Sequence, residues 1–352
     1  MRKLAGVLIG CGAIAREHLI ALAELGTVDV AAVCDLSAAR AEATAERFGV
    51  AKWYTSYQKL IAEIRPDLVH ITTPPSSHFS IARDCLAAGL NVLCEKPLTV
   101  EYSEFVALKE LAATNGCLLM ENQQFRFHSS MKRIQHLVSS GSLGDILELQ
   151  ICISLNIVGA ESPYIDRNAP HFSLTLRGGV IGDFLPHIAY LAYMFTGPVN
   201  DVRTVWKKHI PDTPLTSDEF RGIIKGERTT AYVSFSGNAQ PNAFLIRVAG
   251  TLMRVEANLF EPPRLTAKRL RPGEPALATL VDGIVEAWDV LWGTVAGFCR
   301  KLAGTSSYDG MRESIAKTYR ALELHQPQPI ALNEINEVAL LVDRLTRSDL
   351  RL

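Results

Sequence analysis

The stretch Leu4-Ala-Gly-Val-Leu-Ile-Gly-Cys-Gly-Ala-Ile-Ala15 joins a short apolar run to a glycine-rich turn. The run predicts a buried strand, and the residues from Gly10 onward follow the GxGxxA pattern of a dinucleotide-binding turn. Gly10 would permit the sharp bend, and Gly12 would let the backbone approach a diphosphate. The helix that follows, beginning near Ala13 and Ile14, would direct its free N–H groups at the diphosphate.

A second apolar run, Val28–Cys34, ends at an acidic residue, Asp35. In a dinucleotide-binding fold this carboxylate receives the ribose hydroxyls of NAD, so strand, turn, helix, strand and acid together indicate a nucleotide site. The negative charge would disfavour the 2′-phosphate of NADP, whereas Arg40 nearby could accept it. The sequence therefore favours NAD and leaves NADP open. The alternative is a glycine turn followed by an aspartate that only caps a helix.

The pattern of apolar residues changes once along the chain. Up to about residue 122, near-continuously apolar strands alternate with helices, which predicts a parallel sheet covered on both faces. From residue 199 apolar and polar residues alternate with period two, which predicts consecutive antiparallel strands. The predicted fold class is α/β, with a Rossmann NAD(P)-binding domain at residues 1–122. An α+β domain with an open, mainly antiparallel sheet would occupy residues 123–352 and serve substrate binding.

Composition excludes several classes of protein. The 352 residues are 48% hydrophobic and 21% charged with a net charge of −1, so neither nucleic acid nor a membrane surface is an expected partner. No run approaches the roughly 18 apolar residues of a membrane span. The seven cysteines include no CxxC pair, which favours reduced thiols, a cytoplasmic location and no metal. The N-terminus imitates a signal peptide, but its apolar run is too short.

A lysine follows the next-to-last strand of the first half. The apolar run Leu90–Cys94 leads into Glu95-Lys96-Pro97, so Lys96 lies at the carboxyl end of a predicted strand. Ligands of open α/β sheets bind just beyond these strand ends. The lysine could contact a phosphate, lie on the surface as a solvated charge, or direct its ammonium at reacting atoms. Composition alone does not decide among these roles.

An acid and a histidine four residues apart lie in the second half. If the helix predicted from Asp183 to Phe195 forms, then Asp183 and His187 lie on one face of it, with Pro186 in its first turn. Besides a catalytic pair, three roles are open for these two residues. Asp183 could cap the helix, His187 could be a core histidine, or both could bind a metal, although no third ligand has convincing spacing.

Five motifs, in order along the first half, resemble those of a known family. They are Gly10-Cys-Gly-Ala-Ile-Ala-Arg-Glu-His18, Val33-Cys-Asp35, Thr73-Pro-Pro-Ser-Ser-His78, Ala88-Gly-Leu-Asn-Val-Leu-Cys-Glu-Lys-Pro97 and Gln124-Phe-Arg-Phe127. The sequence is similar to the glucose–fructose oxidoreductase / inositol dehydrogenase / rhizopine catabolism (Gfo/Idh/MocA) family.

The resemblance implies roles for individual residues. Lys96 would be catalytic, with an often cis bond to Pro97, and Asp183 and His187 would be its partners. The motifs would also contribute cofactor contacts from Thr73, Pro74, His78, Glu95 and Lys96.

These residues suit hydride transfer between NAD(P) and a secondary alcohol. His187 would remove the hydroxyl proton, Asp183 would orient it, and Lys96 would stabilise the developing charge or accept the proton itself. Arg126 and Tyr164 are candidates to bind the other groups of a sugar, polyol or nucleotide-linked sugar. Two alternatives belong to the same fold family. These are a glycosidase that oxidises its substrate transiently, and a nucleotide-binding regulator, which would be expected to lack the lysine or histidine.

The resemblance also implies assembly. Family members form homodimers or homotetramers through the open face of the second sheet, and Tyr232, Phe244 and Ile246 are candidates for that face here. The sequence does not identify the substrate, the pathway or the direction of the reaction.

Overall fold

The computed structural model contains two compact units. Unit 1 comprises Met1–Gln124 and Tyr308–Leu340, and unit 2 comprises Phe125–Ser307 and Leu341–Leu352. The residues that the structure describes are 3–159, 161–261, 264–269, 283–284, 287–288, 295 and 309–347.

Unit 1 contains a six-stranded sheet whose strands are all parallel. Their bounds are β1 Leu4–Ile9, β2 Val28–Cys34, β3 Trp53–Tyr54, β4 Leu68–Ile71, β5 Val92–Cys94 and β6 Leu119–Glu121. The strand order is β3-β2-β1-β4-β5-β6, which is the order of the Rossmann fold. β4, β5 and β6 are wholly buried, because parallel sheets of this kind have helices on both faces.

Six helices with described bounds accompany this sheet. They are α1 Ala13–Leu25, α2 Ala38–Phe48, α3 Tyr57–Ile64, α4 His78–Ala87, α5 Tyr102–Asn115 and, much later in the chain, the helix Asp309–Glu323. The last of these packs on α1, which is why residues 308–340 belong to unit 1 although the predicted division placed everything after residue 122 in the second domain.

Unit 2 contains a seven-stranded sheet. Its strands are β7 Ile146–Ser154, β8 Val199–Lys207, β9 Glu219–Gly226, β10 Thr230–Ser236, β11 Ala243–Gly250, β12 Met253–Asn258 and β13 Thr266–Arg269. Their order is β13-β12-β11-β7-β10-β9-β8, and every neighbouring pair is antiparallel except β7 with β10. The prediction of a mainly antiparallel second sheet is therefore confirmed.

Two further helices belong to this part of the chain, and a last one closes it. They are α6 Ser129–Ser139, α7 Gly179–Thr196 and the last helix, Leu332–Arg347. In chain order, the helix Asp309–Glu323 described above is α8 and Leu332–Arg347 is α9. α7 packs against β7, β9 and β10 and covers one face of the second sheet.

The second sheet has one buried and one exposed face. Tyr232 is 48% exposed and lies opposite Ile223, which is 44% exposed. Phe244 and Ile246 are completely buried on the other face. The prediction that these two residues lie on the open face was therefore wrong, because alternation assigns residues to two faces without showing which face the helices cover.

α7 begins earlier than predicted. Its N-cap is Gly178, and Asp183 lies inside the helix and does not cap it. Gly178 and Gly179 have positive φ angles of 78° and 60°, which let the chain enter the helix one turn before Asp183. Pro186 consequently lies inside the helix and not in its first turn.

The spacing of apolar residues in 281–303 predicts one more helix, and most of that stretch lies outside the described residues. Among the helices that the structure describes, none is long and apolar enough to span a membrane.

Candidate functional site

The glycine turn after β1 has the geometry that the sequence predicts. Gly10 has a φ of 98°, and a Cβ there would lie 2.7 Å from the carbonyl carbon of Thr72 and from the nitrogen of Thr73. The turn is therefore in close contact with the end of β4, where only glycine fits. A Cβ added to Gly12, in contrast, would have no neighbouring atom within 4 Å.

Gly12 is also the N-cap of α1. No side chain caps the helix there, and its first turn, from Ala13 and Ile14 onward, contains no acidic residue. An uncapped helix N-terminus presents free N–H groups and a positive dipole end, which together bind phosphate groups. The open space at Gly12 and the uncapped helix thus fit the diphosphate of a dinucleotide.

Asp35 lies at the end of β2 beside this turn. Its two carboxylate oxygens accept hydrogen bonds from the N–H groups of Cys11 and Ser37, at 2.9 Å each. The Arg40 guanidinium is 3.6 Å from Oδ2, with its side chain 60% exposed. A carboxylate offers about four lone-pair sites, so Asp35 retains acceptor capacity for ribose hydroxyls.

The predicted cofactor residues after β4 divide into two kinds. Thr73 is half-buried and Pro74 is exposed. His78 is completely buried, and its Nδ1 and Nε2 lie 2.8 Å from the carbonyl oxygens of Pro97 and Thr73. Burial lowers the pKa of His78 despite these two acceptors. His78 thus connects the Thr73 and Pro97 loops through its ring, and its cofactor role stays a prediction.

Three successive residues of the Lys96 loop are bound by buried side chains. The Lys96 N–H donates to Glu95 Oε2 at 3.2 Å, and the Leu98 N–H donates to Glu121 Oε1 at 3.0 Å. Between them, the Pro97 carbonyl meets His78, and the Lys96–Pro97 peptide bond is cis. We call these three contacts the loop clamp. It holds the backbone of Lys96 at the carboxyl ends of β5 and β6, while the lysine side chain is half-buried.

The two carboxyl groups of the loop clamp differ in charge behaviour. Burial alone would raise the pKa of Glu95, but hydrogen bonds from His18 and Asn122 and the charge of Lys96 lower it instead. Burial raises the pKa of Glu121. Glu95 is thus the carboxylate that remains ionised beside Lys96. No role was predicted for Glu121, whose only signal in the sequence is its position at the end of a strand.

The predicted acid and histidine of unit 2 lie on α7. Asp183 is 7% exposed and His187 is 4% exposed. His187 Nδ1 is 2.9 Å from the Tyr190 hydroxyl, which also accepts the Phe125 N–H at 3.2 Å. The Phe125 ring meets the His187 ring edge to face at a centroid distance of 5.0 Å. Tyr190 was not predicted as a site residue, although its spacing from His187 places both on one helix face.

The two predicted substrate residues are also in unit 2. Arg126 lies in the 3₁₀ turn Gln124–Phe127, and its carbonyl accepts a hydrogen bond from Gln135. Tyr164 lies in the irregular segment before α7, where its ring meets His171 edge to face at 4.8 Å. Each is half-buried. Within the described ranges, no group of three or more histidine, cysteine, aspartate or glutamate side chains is arranged to bind a metal.

Both halves of the sequence match known families. Residues 4–123 match the oxidoreductase family with an NAD-binding Rossmann fold, GFO_IDH_MocA, and residues 131–256 match the GFO/IDH/MocA C-terminal domain. D-xylose 1-dehydrogenase (NADP(+)) 2 of Haloferax volcanii is 31% identical over 255 residues, which are 71% of this chain and 74% of that protein.

Two more relatives are informative. The dTDP-3,4-didehydro-2,6-dideoxy-alpha-D-glucose 3-reductase of Streptomyces violaceoruber is 30% identical over 218 residues, 62% of this chain and 59% of that enzyme. The WlbA dehydrogenase of Bordetella pertussis, solved with NADH and UDP-GlcNAcA, is 17% identical with a TM-score of 0.79. That alignment covers 99% of this chain and 96% of the other, and it shows a shared fold. With both domain matches in place, the chain belongs to the Gfo/Idh/MocA family of NAD(P)-dependent oxidoreductases.

Proposed function

We propose that this protein is an NAD-dependent dehydrogenase that oxidises a secondary alcohol of a sugar, a polyol or a nucleotide-linked sugar. The observation that best supports this proposal is the loop clamp, which uses three buried side chains to hold the backbone of one lysine at the carboxyl edge of a parallel sheet. Ligands of such sheets bind at that edge. A lysine that served only as a solvated charge would need no such support.

The residues that would hold the cofactor are those of unit 1. Gly12 and the N-terminus of α1 would bind the diphosphate, and Asp35 would accept hydrogen bonds from the ribose hydroxyls. When bound, the nicotinamide would supply the hydride acceptor. Thr73 and Pro74, next to the glycine turn, would contribute further contacts.

The remaining task of the protein is to move a proton and stabilise charge. In our proposal His187 accepts the proton of the substrate hydroxyl, and Asp183 orients the imidazole and favours its charged form. Lys96 donates a hydrogen bond to the same oxygen and stabilises the negative charge that develops there. The reverse assignment, with Lys96 as proton acceptor, uses the same atoms. Arg126 and Tyr164 would bind the substrate's other polar groups.

The substrate class is supported by the relatives. One acts on D-xylose and another on a dTDP-linked sugar, as their names state, and a protein of the same fold was solved with a UDP-linked sugar. The polar segment with Tyr164 and His171 offers the hydroxyl and ring-nitrogen groups that a ligand with several hydroxyls would need.

The experiment compares four purified variants on a panel of sugars, polyols and nucleotide-linked sugars while nicotinamide absorbance is followed. Lys96→Ala and His187→Ala should each lower kcat by about 100-fold or more, the usual scale for a positioned acid–base group, with near-normal NAD affinity. Lys52→Ala and His136→Ala, at exposed positions, are the matched controls. Normal turnover in either test variant removes that residue from the mechanism. Redox-neutral turnover of glycosides with cofactor retained would indicate the glycosidase instead.

NAD preference is part of this proposal. Asp35 places a negative charge where NADP has its 2′-phosphate, and the Arg40 charge beside it is partly offset by that same carboxylate. We expect NAD to bind at least tenfold more tightly, about 1.4 kcal/mol. Asp35→Ser should shrink this ratio while Arg40 is retained, and an unchanged ratio would show that Asp35 does not select the cofactor. Tighter binding of NADP by the unaltered protein would refute the preference.

We also propose a homodimer or homotetramer that forms through the exposed face of the second sheet, and a cytoplasmic location. The exposed Tyr232 and Ile223 support the first part, because such a face is usually buried by a partner in closed symmetry. The second part is supported by the six described cysteines, which are all free thiols.

A further inference from the structure

A row of buried polar side chains lies behind the loop clamp, and the proposed reaction does not use most of them. Four elements of unit 1 contribute one residue each. The side chains are Glu95 after β5, His18 in α1, His70 in β4 and Tyr319 in α8. Their residues are 7%, 0%, 0% and 4% exposed, respectively. Buried polar groups are costly unless they are paired, so the partners of each side chain decide what the row can do.

These side chains form one continuous hydrogen-bonded row. The Tyr319 hydroxyl is 2.9 Å from His70 Nε2, His70 Nδ1 is 3.0 Å from His18 Nδ1, and His18 Nε2 is 2.9 Å from Glu95 Oε1. The two imidazole rings meet at 87° with centroids 5.3 Å apart. The Glu95 end of the row reaches the Lys96 loop, because Oε2 of Glu95 accepts a hydrogen bond from the Lys96 N–H.

Donor and acceptor rules orient the protons in this row. An ionised carboxylate only accepts, so His18 Nε2 must carry a proton and donate it to Glu95. Burial lowers the pKa of His70 well below its ordinary value, so that ring is neutral. In a row where His18 is neutral as well, His70 Nδ1–H donates to His18 Nδ1, and Tyr319 O–H donates to His70 Nε2. Every proton then points toward Glu95.

We propose that His18 and His70 form a positioning relay, with both rings neutral, that holds the Glu95 carboxylate ionised and fixed and thereby positions Lys96. Asn122 assists from the side, since its Nδ2 donates to Glu95 Oε1 at 2.6 Å. His18 and His70 touch neither substrate nor cofactor in this proposal. They act through Glu95, and the value of the relay to the reaction rests on the proposed role of Lys96.

Nuclear magnetic resonance tests the proton arrangement without any need for activity. The chain has nine histidines, so ¹⁵N-labelled imidazole signals can be assigned by single substitutions. At pH 7.5 we expect His18 to carry its proton on Nε2 and His70 to carry its proton on Nδ1. Tyr319→Phe should disturb His70, by removing the hydroxyl donor to its Nε2, while leaving the His18 proton on Nε2. A doubly protonated His18, or a His70 protonated on Nε2 in the unaltered protein, would overturn the arrangement.

Kinetics test the consequence for Lys96 with a pair of variants. His18→Leu removes the donor to Glu95, whereas His18→Gln retains an N–H group that can reach it. We expect His18→Leu to lower kcat by roughly tenfold or more, the effect of a small misplacement of a catalytic group, with NAD affinity little changed. His18→Gln should restore most of that loss, and the pH–rate profile should shift in His18→Leu only.

The outcomes separate the relay from the proposed function. A common loss of melting temperature in both His18 variants, with kcat and the pH profile unchanged, would show a purely structural role and overturn the relay while the dehydrogenase proposal stands. If the unaltered protein oxidises no member of the panel, the proposed function fails, and the imidazole signals still decide whether the relay exists. Should His18→Leu not fold, the imidazole signals of the unaltered protein and of Tyr319→Phe still decide whether the relay exists.

Discussion

Tyr190 offers the sharpest test of how α7 supports the proposed base. Tyr190→Phe removes one oxygen atom from a completely buried side chain. The change deletes the 2.9 Å contact with His187 Nδ1 and the 3.2 Å bond from the Phe125 N–H, and it alters no charge. At about 0.5–1.5 kcal/mol for each hydrogen bond, the unfolding free energy should fall by roughly 1–3 kcal/mol.

The effect on catalysis has a predicted direction. A base needs a lone pair directed at the substrate, so the neutral His187 ring of our proposal carries its proton on Nδ1 and donates it to the Tyr190 oxygen, which also accepts the Phe125 N–H. This hydrogen bond is stronger when the ring is charged, so it favours the protonated ring. Tyr190→Phe should therefore move the acid limb of the pH–rate profile to lower pH, and the less well oriented ring should lower kcat by about 10- to 100-fold.

The assay combines chemical denaturation with kcat measured across the acid and alkaline limbs of the pH–rate profile. Tyr232→Phe is the matched control, because it deletes the same atom from a side chain that is 48% exposed, and it should change neither quantity. If Tyr190→Phe lowers stability but leaves kcat and the acid limb unchanged, Tyr190 is a structural residue only. A shift of the acid limb to higher pH would show that Tyr190 donates to His187, which would contradict the role of His187 as base.

Three further predictions concern the nucleotide turn, pH and assembly. Gly10→Ala should lower the unfolding free energy by about 2 kcal/mol or more, because its Cβ would contact backbone atoms at 2.7 Å at a positive φ. Gly12→Ala should change the unfolding free energy by less than about 0.5 kcal/mol yet weaken NAD binding roughly tenfold. Equal stabilities of the two variants in thermal denaturation would contradict this. The pKa of His70 is lowered in the folded protein, so the unfolded chain takes up a proton first as the pH falls through 6.5. Stability that is present above that pH should therefore be lost below it, by up to about 1.4 kcal/mol per pH unit. His70→Gln should lack this part of the pH dependence when unfolding free energies are measured by denaturant titration on either side of pH 6.5. Tyr232→Glu should reduce the assembly to monomers in light scattering at micromolar concentration, and a monomeric unaltered protein would refute the proposed interface.

The nucleotide-binding half could be predicted from the sequence because its signals are local. A strand, a GxGxxA turn and a helix succeed one another within residues 4–25, and each is specified by neighbours a few positions away. Gly10 is an example, because its positive φ belongs to a turn that the adjacent strand and helix already require. The order of alternating elements likewise predicted the parallel sheet of unit 1.

Period-two patterns determined the existence of the second sheet but not the direction of its faces. Phe244 and Ile246 alternate with their neighbours as an exposed face would, and only the structure shows that both are buried, with the Phe244 ring against Phe125. The start of α7 was missed for a related reason. Gly178 and Gly179 usually end regular structure, and here their positive φ angles begin a helix.

The polar contacts around Lys96 could not be predicted from the sequence. His18 and His70 are 52 positions apart, and His70 and Tyr319 are 249 positions apart, so no spacing rule connects them. In the sequence His18 resembles one more member of an apolar helix face, and the ring of His78 resembles a cofactor contact. Hydrogen bonds between such distant side chains depend on where the strands and helices meet in space, and that placement results from packing of the whole unit.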